Sequence, residues 1–168
     1  MTGRKTTFKG NPLTVTGREV HIGDTLPRFR LTGTDMNDVT EKDFAGSNLV
    51  ISVVPSLDTP VCALQTKRFN QEASSFKSAR ILTVSMDLPF AQKRWCGAEG
   101  VENIVTASDY KYRRLGEDFG AYIQELGLLA RAVFIADRQG VVQYVQYVSE
   151  VTEEPRYDEV LSKLKTLI

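Results

Sequence analysis

Three residues in this 168-residue chain limit the chemistry it can do: Cys62, Cys96 and the single histidine, His21. A cysteine can be a small buried hydrophobe, a metal ligand, half of a disulfide or a nucleophile. So few cysteines and histidines weaken any zinc reading, since a structural site takes four such ligands. No metal or other cofactor is expected. Cys62 stands in PSLDTPVC, directly after an apolar run that Pro55 ends. Thr59 suits a helix N-cap, and Pro60 suits the first helical position, where a missing N–H costs nothing. Cys62 then falls in the first turn, where unpaired N–H groups and about half a positive charge favour an anion. The thiolate is the reactive form. The Thr59 hydroxyl can cap the helix and also hydrogen-bond near the sulfur, whereas Asp58 opposes the anion if it points inward. A buried, inert cysteine is the competing reading.

Cys96, in RWCGAEG, belongs neither to a CxxC motif nor to half of a zinc ribbon. Gly97 and Gly100 beside it suggest a segment that can rearrange. A bond that needs such movement is strained and easily reduced, which suits catalysis. The alternatives are a stabilising staple, worth about 4 kcal/mol by chain entropy, or an unpaired thiol. The sequence does not say whether the two Cα atoms come within the ~7 Å a disulfide requires. If both thiols react, the oxidation ladder supplies a complete cycle. A thiolate attacks a hydroperoxide and becomes a sulfenic acid, a second thiol condenses with it, and an external dithiol reduces the disulfide.

Arg131 and His21 have competing readings as well. Arg131 precedes the apolar strand AVFIA inside LGLLARAVF. A cation there can reach the cysteine, stabilise its thiolate and polarise an O–O bond; otherwise it is a surface arginine at a strand edge. His21 can be proposed as the base of a cysteine hydrolase or read as a strand or loop residue without a catalytic role. A redox-sensing or partner-binding module is the non-enzymatic rival.

The elements that must position these residues follow from pattern. Phe8 and Leu13 flank a Gly-Asn-Pro turn, so residues 5–20 read as a hairpin. Phe29 and Leu31 alternate as in a strand. LVISVV, residues 49–54, reads as a strand buried on both faces. Cys62, Phe69, Ala73 and Phe76 follow at helical spacing. Residues 81–84 predict a strand, 89–98 a helix stopped by Gly97 or Gly100, 104–105 a strand and 113–123 a helix. Residues 132–136 and 141–148 form a hairpin about the turn DRQG. Tyr157, Val160, Leu161, Leu164, Leu167 and Ile168 lie on one helical stripe. Tyr144 and Tyr147, three apart in a strand, point to opposite faces. Alternating β and α elements give a parallel core with crossover helices, and the last hairpin adds antiparallel strands. The expectation is an α/β, thioredoxin-like three-layer sandwich with a mixed central sheet and an N-terminal β-hairpin, as one domain over residues 1–168.

Bulk properties are those of an ordinary globular chain. Twenty-one basic and 21 acidic residues give no electrostatic case for nucleic acid or an anionic membrane. No segment approaches the ~18 apolar residues of a membrane span. The opening MTGRKTTFKG lacks the apolar core of a signal peptide. A cytoplasmic location is expected, where a disulfide is more often transient than structural.

PSLDTPVC resembles the PxxxTxxC pattern of peroxiredoxins. SVVPSLDTPVC, RWCGAEG and GLLARAVFIAD, together with the GNP hairpin, narrow the resemblance to the thiol peroxidase branch, the atypical 2-Cys peroxiredoxins, over nearly the whole chain. That resemblance implies Cys62 as the peroxidatic and Cys96 as the resolving cysteine of one subunit. It implies that Thr59 holds peroxide and sulfur, Pro55 shields the pocket and Arg131 completes it. It further implies hydrogen peroxide and alkyl hydroperoxides as substrates, thioredoxin as reductant, and a homodimer. Trp95 departs from the phenylalanine expected before the resolving cysteine; the change keeps an aromatic and offers a fluorescence signal.

Overall fold

The structure, a computed structural model, describes residues 4–168; Met1–Gly3 of the polar N-terminal stretch lie outside the described residues. In chain order the strands and helices are β1 (Arg4–Phe8), β2 (Asn11–Thr16), β3 (Arg30–Gly33), β4 (Asp38–Thr40), β5 (Asn48–Val53), α1 (Pro60–Ala73), β6 (Ala79–Ser85) and α2 (Pro89–Glu99). There follow β7 (Val105–Ser108), α3 (Leu115–Asp118), β8 (Tyr122–Ile123), β9 (Leu128–Leu129), β10 (Ala132–Ala136), β11 (Val142–Tyr147) and α4 (Tyr157–Thr166).

The apolar run expected to form a central strand is β5, buried at every residue. It pairs in parallel with β6 and antiparallel with β10. The full order is β11-β10-β5-β6-β7-β3-β4, a mixed seven-stranded sheet, and the fold is thioredoxin-like. Right-handed crossovers carry α1 and α2 to one face. There Phe69 of α1 and Val160 and Leu164 of α4 pack on Val50, Ile81, Val133 and Ile135. The alternate residues Leu49, Ile51, Val53, Leu82 and Phe134 point the other way, onto Phe29, Phe44, Leu115 and Phe119. That second layer is built largely from loops and short turns. Tyr144 packs on the first face and Tyr147 on the second, as their spacing requires. No helix among the described residues is long and apolar enough to cross a membrane.

The N-terminal hairpin forms as expected, with Phe8 opposite Asn11 at its turn. Its second strand also pairs with β8, giving a small sheet in the order β1-β2-β8-β9. The sequence did not reveal that sheet. It replaces most of the helix expected over 113–123. Helix α3 keeps one turn, because Gly120 takes a left-handed φ of 61° and turns the chain into β8. A side chain at that position would stand 2.8 Å from the Arg18 carbonyl oxygen. The apolar stripe of α4 also ends sooner than expected: Leu167 is half-buried, but Ile168, beyond the helix, is exposed.

Candidate active site

The register of the sheet brings the reactive groups to one edge. Val53, the last residue of β5, lies opposite Ala132, the first of β10. The loop carrying Pro55 and the residue before β10, Arg131, therefore meet at the carboxyl end of a central strand, where α/β folds commonly place their sites.

Thr59 is the N-cap residue of α1 with extended backbone (φ −109°, ψ 146°), and Pro60 opens the helix. The cap forms by backbone alone. Ala63 N–H donates to the Thr59 carbonyl at 2.9 Å, while the Thr59 hydroxyl turns back and donates to Ser56 O at 3.0 Å. It makes no bond to a helical N–H or to the sulfur, in contrast to the role expected for it. The tight turn of the preceding loop puts the Ser56 carbonyl within closer reach. Asp58 is exposed, so its charge does not oppose an anion at Cys62.

Cys62 is 0% exposed and packs with Val54, Leu57 and the half-buried Trp95. Its sulfur accepts a hydrogen bond from Arg131 Nη2 at 3.3 Å. Arg131 is itself 1% exposed, which excludes the surface-arginine reading. Its Nε and Nη2 both donate to the Val151 carbonyl, at 3.1 and 2.7 Å, and its Nη1 donates to Gln65 Oε1 at 2.8 Å. Gln65, one turn after Cys62 on α1, is oriented in turn by donating from Nε2 to Ser52 Oγ at 2.7 Å. A buried cation is thus aimed at the thiol by a carbonyl and an amide, and a thiolate formed there meets a fixed positive charge.

The segment bearing Val151 is anchored separately. The Glu150 carboxylate accepts hydrogen bonds from the Thr7 hydroxyl, from the N–H groups of Lys9 and Gly10 in the hairpin turn, and from Thr152. Hydrogen bonds from the Thr7 and Thr152 side chains dominate in holding its carboxyl down at about 2. Val151 N–H bonds to Thr7 O at 2.8 Å. The N-terminal hairpin is therefore tied to the carbonyl that orients Arg131.

Cys96 is half-buried on α2, with its sulfur 3.4 Å from Thr106 Oγ1 on β7. Burial pushes its thiol up, and the Thr106 contact opposes this in part. Both cysteines are free thiols. Their partners lie three strand positions apart, β10 against β7, or about 14 Å between strand axes. A bond between the sulfurs therefore requires α2 or the Cys62 loop to move. Gly97 lies inside α2 with open space around it, and Gly100 closes the helix in the left-handed conformation.

Pro55 is buried beside this cluster. His21 is not part of it. Its ring faces Asp24 at 3.8 Å, in a segment whose Gly23 N–H bonds to Val142 O, at the opposite end of β10 from Arg131. The hydrolase arrangement is therefore absent. Gln65, Ser52 and Val151 escaped the sequence reading; only the helical spacing of Gln65 from Cys62 could have pointed to any of them.

The profile of the family described as Redoxin matches residues 21–161. A thiol peroxidase of Streptococcus sanguinis is 49% identical over 162 residues, 96% of this chain and 99% of its own length. A thiol peroxidase of Bacillus subtilis (strain 168) is 46% identical, over 96% of this chain and 97% of its own. Among solved structures, a peroxiredoxin-like protein from Aquifex aeolicus superposes with a TM-score of 0.93 at 46% identity, covering 98% of both chains.

Proposed function

We propose a two-cysteine cycle on the premise that this chain belongs to the Redoxin family and is a thiol peroxidase. The Cys62 thiolate attacks the distal oxygen of a hydroperoxide. An S–O bond forms, the O–O bond breaks, and the leaving alkoxide or hydroxide takes a proton to become alcohol or water. Arg131 stabilises the thiolate and the charge that develops along the breaking bond. The Cys96 thiol then attacks the sulfenic sulfur. An S–S bond forms, and the hydroxyl leaves as water with the Cys96 proton. The summed change is two thiols plus ROOH to a disulfide, ROH and water. An external dithiol restores the thiols by exchange.

The observation that carries this reading is the contact of a fully buried guanidinium with the Cys62 sulfur. The rearrangement it needs has a substrate in α2, with a glycine inside the helix and another at its end. Pro55 and Thr59 belong to the pocket as its wall and as the turn before α1. Three remaining assignments rest on resemblance: hydrogen peroxide and alkyl hydroperoxides as substrates, thioredoxin as the dithiol, and a homodimer; a cytoplasmic location and a single domain over residues 1–168 rest on the sequence pattern.

Intact mass after one equivalent of hydroperoxide tests the cycle. Expected results are loss of two hydrogens in the reduced wild type, an added oxygen in Cys96→Ser, and no rapid change in Cys62→Ser. An unchanged wild-type mass would refute it.

A further inference from the structure

A carboxylate outside this machinery joins the two reactive segments. Asp87 lies between β6 and α2, and its Oδ1 accepts from the Ser56 hydroxyl at 2.7 Å. Its Oδ2 accepts from Leu57 N–H at 2.7 Å and from the Ser85 hydroxyl at 2.8 Å. Leu57 is 2% exposed, and its side chain packs directly on Cys62. The other side of the clasp leads into α2. Gln92, fully buried on that helix, donates from Nε2 to Ser85 Oγ at 3.0 Å and to Ala107 O at 2.9 Å. Trp95, one turn further along, packs on the same cluster as Leu57. Asp87 has no hydrogen bond to Cys62, Cys96 or Arg131 among the described residues. Its carboxylate accepts the backbone N–H of Leu57 itself, and charge-assisted bonds of this kind are about twice as strong as neutral ones.

From this geometry we propose that Asp87 is a positioning residue that latches the Cys62 loop to the start of the Cys96 helix, favouring the peroxide step and restraining the disulfide step. Latched, Leu57 and Trp95 close over Cys62 and hold its sulfur against Arg131. Released, residues 56–57 lose their tie to α2, and the sulfur can leave the Arg131 contact toward Cys96. The latch therefore sets how long the sulfenic acid persists before it is resolved. This assignment rests on the two-cysteine cycle above.

The test separates the two steps. Reduced protein is mixed with excess hydrogen peroxide, Trp95 fluorescence is followed, and quenched samples are weighed for sulfenic acid and disulfide. In Asp87→Asn one acceptor becomes an NH2 group facing the Ser56 hydroxyl or Leu57 N–H. The peroxide step is then expected to slow about tenfold, and disulfide closure to speed up by a similar factor, the scale of one charge-assisted hydrogen bond. Ser56→Ala removes one of the three bonds and is expected to shift both steps the same way by less, which keeps the test informative if Asp87→Asn folds poorly. Both rates within twofold of wild type, or both falling together, would overturn the latch while leaving the cycle intact. A wild type that forms neither sulfenic acid nor disulfide would overturn the cycle itself.

Discussion

Arg131 divides its donors among a sulfur, an amide oxygen and a backbone carbonyl, and only a planar fork can span all three. Arg131→Lys keeps the charge but not the fork. Its second-order rate with peroxide is expected to fall by about 100-fold or more, the usual loss for one aimed donor, with the far-ultraviolet dichroism unchanged. A rate within threefold of wild type in a stopped-flow assay would contradict this. Cys62 and Arg131 stand out in the sequence because a cysteine after a cap and a lone cation in an apolar stretch are unusual, but their pattern leaves an inert cysteine and a surface arginine open; burial of Arg131 against the Cys62 sulfur is what only the fold shows. Gln65 and Asp87 could not, because amides and carboxylates are common and theirs gain meaning only from contacts across the fold. Thr59 stands at the N-cap position its spacing predicts, but its hydroxyl serves the preceding turn instead of capping the helix.

In the proposed cycle, helix α2 must be firm enough to cover Cys62 yet able to yield Cys96. Gly97 sits in its interior with nothing near the position of an added Cβ. Gly97→Ala is expected to raise stability by about 1 kcal/mol through helix propensity and to slow disulfide closure, read by urea melts and by quenched mass analysis. A stabilised variant that closes as fast as wild type would place the flexibility elsewhere. Gly120→Ala has the opposite sign. A left-handed φ and a Cβ 2.8 Å from a backbone oxygen predict a loss of about 2 kcal/mol or more. The elements with long, regular patterns (β5, α1, β10 and α4) were legible. The expected helix over 113–123 was not, because its apolar spacing fits a helix locally while Gly120 and long-range pairing to β2 decide the outcome.

At the level of the molecule, alternation of strands and helices was enough to infer the mixed sheet. The small sheet stayed hidden because β8 and β9 have two residues each, and β8 joins the sheet by pairing with β2, far away in the chain. The assembled fold also buries phenols. Burial, with Glu159 close by, pushes Tyr144 up to about 12; burial likewise raises Tyr147 and Tyr157. A raised acid favours the folded state while it is neutral. The stability held below the unfolded value near pH 10 is therefore lost as pH climbs toward about 12. The urea midpoint is expected to drop across that window, and a flat midpoint would refute the assignment. The tie from the N-terminal hairpin through Glu150 to the Val151 carbonyl has a consequence for biosynthesis. A chain leaving the ribosome presents both thiols and Arg131 before it presents Val151, so the guanidinium is not yet aimed. If Arg131 activates Cys62 as proposed, oxidation chemistry waits for the last part of the polypeptide to emerge and dock, and the nascent thiols pass through translation without a guanidinium held against either of them.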